Sequence, residues 1–486
     1  MTFGAAIVGT GMAASPAHSF NWADQLRFAE LSGDTNPMHI DALAARRTEA
    51  GAPVVHGVHA VLWALNRLAE ESDLSGLSGA TVALNRFIYL DRPAVVRVTR
   101  RTETSVTAEV VADGVTVITL LLKLGSRGAA AAQDEFLGLP MADLACTAET
   151  PEELRDTKGW LEAAPGAGGL AALFPDLTRV IGSERIVGLA LLSTLVGMAC
   201  PGLHSIFTAF QVEFLDGVPD RSGIGFSVRV ADPRFRVVRM VVGGNGLRAN
   251  VSAFVRMPPL TLPSMAALVD LVAGNEFAGQ RVLIVGGSRG LGAMSARLVA
   301  AGGGQVVLTY SRGAADAAAV AADIHAFRGQ AACSVCAMDV TRDLAPQLPA
   351  MPRFTGLLYF ATPQIRRQKP AVFVTGVHAE FFQYYVLAFL NLTNLLLTPD
   401  SEAKLDVFYP SSVAVVERPE DMTEYAMAKA AGEVLATDLA AANPRLHLVM
   451  DRLGRLPTDQ NATVVQAEFA DPVATMLPLL RKTLRG

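Results

Sequence analysis

The chain has 486 residues, more than one hydrophobic core usually organises, so its length predicts about three domains. It is 51% hydrophobic and only 18% charged, and its formal net charge is −5. These values argue against a disordered chain and against a basic surface for nucleic acid. We therefore expect a well-buried globular protein.

The number of cysteines and the length of the apolar runs indicate a cytoplasmic location. Four cysteines cannot form a disulfide framework for a chain this long, which favours a reducing environment. The N-terminal segment MTFGAAIVGTGMAASPAHSF lacks the basic residues of a secretory signal. The longest apolar run, VLAFLNLTNLLL, is too short to span a bilayer. We expect a cytoplasmic protein without a membrane partner.

Two stretches rich in proline and small residues, 126–140 and 256–264, divide the chain, and we predict domains at 1–125, 147–258 and 279–486. The first domain has two helix-like segments followed by strands, with a hairpin signal at an Asp-Gly dipeptide. The second repeats this plan, with the helix pattern IVGLALLSTLVGMA ahead of its strands. The third alternates short apolar runs with helix-length segments, which predicts a parallel sheet covered by helices on both faces.

Polar residues follow the first predicted helix, which lies between Asn21, a cap paired with Asp24, and a stop at Gly33. The following Asn-Pro dipeptide should force a non-helical loop. Across this loop Asp34 and His39 can converge as a general acid/base pair. Their alternative roles are a capping aspartate and a packed histidine.

The segment GAPVVHGVHAVLWALNRLAEE has an apolar stripe at helical spacing that begins near Gly57. Free N–H groups at such a helix start can stabilise an oxyanion. The flanking His56 and His59 are expected to be structural.

The string LSGDTNPMHID followed by GAPVVHGVH resembles the R-specific enoyl-CoA hydratases and MaoC-like dehydratases over about residues 5–125. That family has a hot dog fold, a curved antiparallel sheet around one long helix. The resemblance implies catalytic roles for Asp34 and His39 and an oxyanion-hole amide at Gly57. The implied reaction adds water to, or removes it from, the 2,3-bond of an acyl thioester.

The second repeat, with PGLHSIFTAFQVEF after its helix, looks like another hot dog but lacks the Gly-Asp-x-Asn-Pro-x-His string. We therefore expect a non-catalytic half that completes a double hot dog and walls the acyl tunnel. Its one imidazole, His204, is expected to be structural.

A glycine loop opens the third segment, where RVLIVGGSRGLGAMSARLVAAGG places Gly286, Ser288, Gly290 and Gly292 between a strand and a helix. Small residues there let a pyrophosphate approach the helix N-terminus.

The strand after the glycine loop ends without an acidic ribose acceptor, and Arg312 stands there instead, with Arg289 in the loop. Two cations suit a 2′-phosphate, so NADPH is favoured over NADH, and Asp339 could touch the adenine. The alternative is a pair of solvated surface arginines.

Ser412 ends an apolar strand, and Tyr425 and Lys429 follow one helical turn apart. Lys429 as an ammonium would lower the pKa of Tyr425, Tyr425 would protonate a carbonyl oxygen, and Ser412 would hold that oxygen. Together with the glycine loop, this order resembles the short-chain dehydrogenase/reductase family, particularly its β-ketoacyl reductases, over about residues 279–465. The resemblance implies a Rossmann-type doubly wound α/β fold.

The chain departs from that family in several places. Val285 stands where threonine is usual, YFATP replaces the Asn-Ala-Gly string, DRLGRLPTD replaces the Pro-Gly segment, and Tyr385 takes the place of the relay asparagine. The structural alternative is a reductase-like domain that binds nucleotide weakly and stabilises its partner domain. Cys333 and Cys336 lack a second ligand pair, so we interpret them as packed in a strand and predict no metal site.

The two resemblances describe consecutive steps, which predicts a bifunctional NADPH-dependent ketoreductase and dehydratase of fatty-acid-like or polyketide biosynthesis. Alternatives are a degradative hydratase/dehydrogenase and a non-catalytic scaffold that binds acyl carriers. The expected substrate is an acyl-CoA or acyl carrier protein thioester, the expected assembly is a homodimer, and no nucleic-acid partner is expected.

Overall fold

The computed structural model describes residues 15–129, 136, 138–217, 222–258, 262–348, 353–365, 369, 371–397, 403–454, 456 and 470–484. The chain divides into two compact units, the first formed mainly by Met1–Pro258 and the second by Pro259–Ala462 with Gln466–Gly486.

The first unit is an antiparallel sheet with helices. Its elements in chain order are β1 (His18–Ser19), α1 (Trp22–Ser32), α2 (Pro37–Ile40), α3 (Ala42–Ala45), α4 (Gly57–Glu71), β2 (Leu77–Leu84), β3 (Pro93–Arg101), β4 (Ser105–Ala112), β5 (Val115–Leu124), β6 (Lys158–Leu161), α5 (Leu170–Leu173), α6 (Pro175–Ile181), α7 (Ser183–Thr194), β7 (Ser205–Phe214), β8 (Ile224–Asp232), β9 (Val237–Gly244) and β10 (Leu247–Val255).

The sheet has the strand order β1-β3-β4-β5-β2-β7-β10-β9-β8-β6. Read outward from the central pair β2 and β7, the two halves follow the same order, so the duplication predicted from pattern is present in the topology. Antiparallel pairing of β2 with β7, with Val82 opposite Phe210, makes the sheet continuous across both repeats. The first two predicted domains therefore lie in one compact unit, and their exact boundaries stay a prediction.

Local signals fix the hairpins. Asp113 and Gly114, between β4 and β5, both have positive φ, as a two-residue hairpin turn requires. Asn245 and Gly246 do the same between β9 and β10. The first of these turns confirms the hairpin predicted from the Asp-Gly dipeptide.

Each repeat carries one long buried helix, as the hot dog prediction requires. The predicted stripe of α4 lies in the core, where Val58, Leu62 and Leu65 are at most 1% exposed. Helix α7 is buried from Arg185 to Thr194 and continues into a π-helical turn, Leu195–Ala199.

The second unit alternates strands and helices as predicted. Its elements are α8 (Met265–Leu268), β11 (Arg281–Val285), α9 (Gly290–Ala301), β12 (Gln305–Tyr310), α10 (Ala314–Arg328), β13 (Cys333–Ala337), β14 (Gly356–Tyr359), α11 (Thr375–Phe382), α12 (Ala388–Leu396), β15 (Leu405–Ser412), α13 (Ala414–Glu417), α14 (Thr423–Ala442), β16 (Leu446–Leu453) and α15 (Pro472–Thr483).

All pairs of this second sheet are parallel, in the order β13-β12-β11-β14-β15-β16. Alternate residues of β11 enter different hydrophobic clusters: Val282 and Ile284 pack in one, Leu283 and Val285 in the other. The sheet is therefore covered on both faces. Cys333 packs in the first of these clusters, and burial raises the pKa of its thiol to about 12.

Among the described helices, none by itself has the length and apolar character to cross a membrane; the sharply bent pair Pro175–Ile181 and Ser183–Ala199 meets those two criteria only when joined.

Candidate active sites

The first site begins where α1 ends. Asn21 and Asp24 form the predicted capping box, and Gly33 ends the helix with φ of 85°, a left-handed conformation that glycine adopts without strain. The chain then turns inward, and the side chain of Asp34 is almost fully buried.

The Asn-Pro dipeptide that follows does not abolish helical geometry, and this part of the prediction is wrong. Asn36 caps the short helix α2, and Pro37 occupies its first turn, where a missing N–H costs nothing. This turn carries His39 back toward Asp34. One side-chain nitrogen or oxygen atom from each of Asp34, His39 and His56 lies within 4.8 Å of those of the other two.

The tautomer of His39 follows from its neighbour. Its Nδ1 lies 2.8 Å from the carbonyl oxygen of Val54, which can only accept, so Nδ1 bears a hydrogen and donates it. When the ring gives up a proton, the lone pair is therefore on Nε2. The ring also stacks on His56 with centroids 4.0 Å apart, which fixes its orientation.

Asp34 is held between opposing influences. Burial raises the pKa of its carboxyl group, while His39 and hydrogen bonds from Ser193 and Asn36 lower it. The Ser193 hydroxyl lies 2.6 Å from Asp34 Oδ2, and the Asn36 N–H lies 3.2 Å from Oδ1. A carboxyl group with a raised pKa beside an imidazole lone pair is suited to move protons.

His56 was expected to be structural, but it lies inside this cluster. Its Nε2 donates to the backbone oxygen of Asp34 at 3.0 Å, and burial sets its pKa well below the usual value, so the ring is neutral. His59 instead stacks on Phe28, and burial lowers its pKa to about 3. The predicted structural His204, in the second repeat, has its pKa lowered to about 4 by burial.

Sequence patterns did not reveal the role of Ser193. It lies in an apolar helix about 160 residues from Asp34, and nothing in its local sequence distinguishes it from a packed serine. A serine on the buried face of a hydrophobic helix was the available signal.

Gly57 is the first residue of α4, and the preceding cap residue makes no side-chain hydrogen bond to the helix. Its N–H therefore belongs to the group that a helix leaves without an internal partner. Gly57 is partly exposed, while His56 and Val58 on either side are buried.

The second site starts at the glycine loop after β11. Gly286 has φ of 79°, and a Cβ there would lie 2.9 Å from Ala361 N. A Cβ on Gly292 would collide with the carbonyl oxygen of Gly286, so glycine is needed for α9 to approach the loop. Arg289 precedes α9 without a side-chain cap, and Gly290 begins it. The loop thus retains the small cradle that a pyrophosphate needs.

Arg312 follows β12 and Asp339 follows β13, and the charges of these two side chains interact. Hydrogen bonds from Thr341 lower the pKa of Asp339, and the charges of Arg342 and Arg312 lower it further. Arg312 is exposed and Arg289 is partly exposed, while Ser288 in the loop is buried.

Ser412, Tyr425 and Lys429 come together at the carboxyl end of β15. Tyr425 makes a hydrogen bond with Ser412, but burial raises its pKa above the ordinary value. The predicted lowering by Lys429 is therefore wrong. Lys429 donates to Pro410 O at 2.6 Å and is itself so buried that its pKa falls to about 7.

Aromatic rings account for the position of Lys429. Its Nζ lies 4.0 Å from the ring centroid of Tyr385 and 5.1 Å from that of Tyr409. Tyr385, which stands in place of the relay asparagine, hydrogen-bonds Thr362 at 2.5 Å and packs edge-on against Tyr425.

Comparison with known proteins finds similarity to parts of the chain. Residues 5–117 match the family model described as MaoC like domain. No curated protein matches the chain.

Several solved structures are similar to part of the chain. A short chain dehydrogenase from Escherichia coli CFT073, complexed with NADPH, is 22% identical over 43% of this chain and 92% of that one, with a TM-score of 0.38. A short chain dehydrogenase from Shigella flexneri is 23% identical over 44% and 88%, with a TM-score of 0.38. An alternative dihydrofolate reductase from Brucella suis, in complex with NADP, is 18% identical over 36% and 72%, with a TM-score of 0.33.

Proposed function

Since residues 5–117 are a MaoC-like dehydratase domain, we propose that Asp34 and His39 interconvert a 3-hydroxyacyl thioester and a trans-2-enoyl thioester. The observation that carries this proposal is the buried Asp34 carboxyl group beside an imidazole whose Nε2 is free to take a proton.

In the hydration direction, one member of the pair takes a proton from water as its oxygen bonds to C3. The other delivers a proton to C2, and the C2–C3 double bond becomes single. Nε2 of His39 is suited to the first task, and the Asp34 carboxyl group, with its raised pKa, to the second. Dehydration is the reverse: C2–H and C3–O break, and water leaves.

Gly57 supplies the third requirement. Charge builds on the thioester oxygen while the C2 proton is in transit, and an N–H at the start of α4 can hydrogen-bond that oxygen. A Cβ on Gly57 would lie 2.8 Å from a methyl carbon of Leu84, so a larger residue would require the Leu84 side chain to move.

Hydration of a short trans-2-enoyl-CoA by the purified chain tests this proposal. Asp34→Asn should reduce kcat/KM by about 10² to 10⁴-fold, the usual contribution of a general acid or base. The control is Asp73→Asn, which changes an exposed carboxylate whose bonds are to its own loop. Equal activity of the Asp34 variant and wild type would contradict the assignment.

We further propose that the second unit binds NADPH. The strand order of its six parallel strands is that of dinucleotide-binding sheets, and the glycine loop lies at the end of the first strand. The open start of α9 suits the pyrophosphate, Arg289 and Arg312 suit the 2′-phosphate, and Asp339, whose carboxylate interacts with Arg312, would contact the adenine.

Bound NADPH would supply hydride to the ketone carbon of a 3-ketoacyl thioester. The raised pKa of Tyr425 keeps its hydroxyl protonated at neutral pH, which is the state that a proton donor to the ketone oxygen needs. Ser412, bonded to Tyr425, would hold the same oxygen. The product is a 3-hydroxyacyl thioester, the substrate of the first unit in dehydration, as in fatty-acid-like or polyketide biosynthesis.

One observation favours a second candidate, a dehydratase with an inactive reductase-like domain. The ammonium group of Lys429 contacts Pro410 O and the rings of Tyr385 and Tyr409. The pKa of Tyr425 is raised by burial and is not lowered by this lysine. Oxidation of NADPH in the presence of a short 3-ketoacyl thioester separates the candidates. Loss of that oxidation in Tyr425→Phe supports reduction, whereas tight NADPH binding without oxidation supports the second candidate.

A further inference from the structure

The catalytic loop of the first repeat is held by the helix of the second. Ser193 donates to Asp34 Oδ2 at 2.6 Å, and the next residue, Thr194, donates to the backbone oxygen of Ser32 at 2.6 Å. Both hydroxyl groups come from the last turn of α7. Two successive side chains of one repeat therefore fix the backbone and the carboxyl group of the other.

The π-helical turn after α7 makes room for this contact. Its wider loop is closed by Cys200 N–H donating to Leu195 O at 2.7 Å. Within it, Gly197 O accepts from Asn36 Nδ2 at 2.8 Å. A Cβ on Gly197 would lie 2.9 Å from Asp34 Oδ2 and nearer still to Oδ1, so only glycine admits the carboxyl group.

A carboxylate removed from water needs donors to remain charged. Asp34 is 1% exposed, and its oxygens receive the Ser193 hydroxyl on one side and the Asn36 N–H on the other. The Asn36 bond is local to the loop, because its donor lies two residues from Asp34. The Ser193 bond comes from outside the loop and selects one orientation of the carboxyl group.

We propose that Ser193 is a positioning residue for the hydration and dehydration reaction: its hydroxyl holds the Asp34 carboxyl group toward His39, so the second repeat completes the catalytic site of the first. This inference rests on the proposed function of Asp34 and His39. It gives the repeat without catalytic residues a defined part in the reaction.

The other titratable groups that face Asp34 are His39 from α2, His56 before α4 and Cys146 from the segment between the repeats. Burial keeps His56 neutral by lowering its pKa and keeps the Cys146 thiol neutral by raising its pKa to about 11. The pKa of Asp34 is thus set by its burial, by His39 and by the hydrogen bonds from Ser193 and Asn36. Because Ser193 donates to the ionised form, its removal should raise the pKa of Asp34.

The test compares Ser193→Ala with Thr194→Val, which removes the adjacent hydroxyl of α7 without touching Asp34. The pH profiles of kcat and KM for enoyl thioester hydration are measured. Ser193→Ala should lower kcat by about tenfold or more, with KM nearly unchanged, because orientation matters in the transition state. It should also move the limb that reports Asp34 to higher pH. Ser193→Thr, which keeps the hydroxyl, should restore both.

Thr194→Val should change stability without moving that limb. An unmoved profile in Ser193→Ala, or an equal movement in Thr194→Val, would overturn the proposal and leave Ser193 as packing.

A double-mutant cycle keeps the inference falsifiable even if the wild type hydrates no thioester, a result that would refute the proposed function instead. The decrease in Tm caused by Ser193→Ala at pH 8 should shrink by about half or more in the Asp34→Asn background, because the carboxyl group that accepts the Ser193 bond is gone. Equal decreases in both backgrounds would show that Ser193 does not act on Asp34.

Discussion

Asp34 and Lys429 are buried titratable side chains with opposite pKa changes. Burial raises the pKa of the aspartate and lowers that of the lysine to about 7, because in both cases it disfavours the charged form. Each residue lies in a candidate catalytic cluster. Such desolvated groups cost stability in the folded state, which makes them measurable through the pH dependence of unfolding.

The burial of Asp34 predicts a stability that falls as pH rises. The folded state binds its proton more tightly than the unfolded state, so the free energy of unfolding falls as pH rises from the ordinary aspartate pKa through the raised one. Asp34→Asn removes this loss. The variant should gain stability over the wild type as pH rises and keep a constant advantage above that window, as measured by denaturant unfolding. A stability difference that does not vary with pH would contradict the burial argument.

The burial of Lys429 predicts the opposite, a stability that rises with pH. Its folded pKa of about 7 is below the ordinary 10.5, so the unfolded state binds more protons between these values and stability rises with pH there. Lys429→Met should abolish that rise in the unfolding transition of the second unit, followed by Tm from pH 6 to 10. A rise of equal size in the variant would show that Lys429 is solvated.

At the scale of elements, local signals predicted most of the structure. The capping box of Asn21, the stop at Gly33 and the stripe of α4 each depend on residues within one or two turns, so the sequence displays them. The non-helical loop predicted at Pro37 was wrong because proline can start a helix as well as end one. The contact of Ser193 with Asp34 has no local signal, because it exists only once β2 and β7 join the two repeats.

The second unit also combines features that local sequence predicts with features that it does not. The glycine loop and the positions of Tyr425 and Lys429 follow from motif and helix spacing. The direction in which the Lys429 ammonium group points does not, because it depends on Tyr385 and Tyr409, which come from other elements.

Glycine 292 offers a prediction at this scale. Gly292→Ala places a methyl group against the carbonyl oxygen of Gly286 and should push α9 from the loop. NADPH affinity, measured by fluorescence titration, should fall at least about tenfold, and hydration by the first unit should persist.

The matched control is Gly376→Ala in α11, where a Cβ meets nothing within 4 Å. This change should leave NADPH affinity unaltered and stabilise the helix by up to about 1 kcal/mol. Equal NADPH affinity in the Gly292 variant and this control would contradict the assigned role of the glycine loop.

At the scale of the whole molecule, the two halves of an internal repeat carry different polar residues. Both halves of the antiparallel sheet keep the same strand order, yet Asp34 and His39 occur in the first, and the second contributes Ser193 and Gly197 to their surroundings. The parallel sheet forms a separate unit with its own cores. The two proposed reactions therefore depend on different residues and should be separable by mutation.

Asp34→Asn should abolish water chemistry and leave NADPH oxidation with a 3-ketoacyl thioester intact. Tyr425→Phe should do the reverse. Assays of both reactions on both variants test this independence, and loss of both activities in either variant would show that one site serves both steps.

Product analysis after the wild-type chain is mixed with a short 3-ketoacyl thioester and NADPH tests the account most directly. Mass spectrometry should detect the 3-hydroxyacyl thioester and then the trans-2-enoyl thioester, with only the hydroxyacyl product accumulating in Asp34→Asn. Formation of the enoyl thioester at the same rate in wild type and Asp34→Asn, or its absence from both, would contradict it.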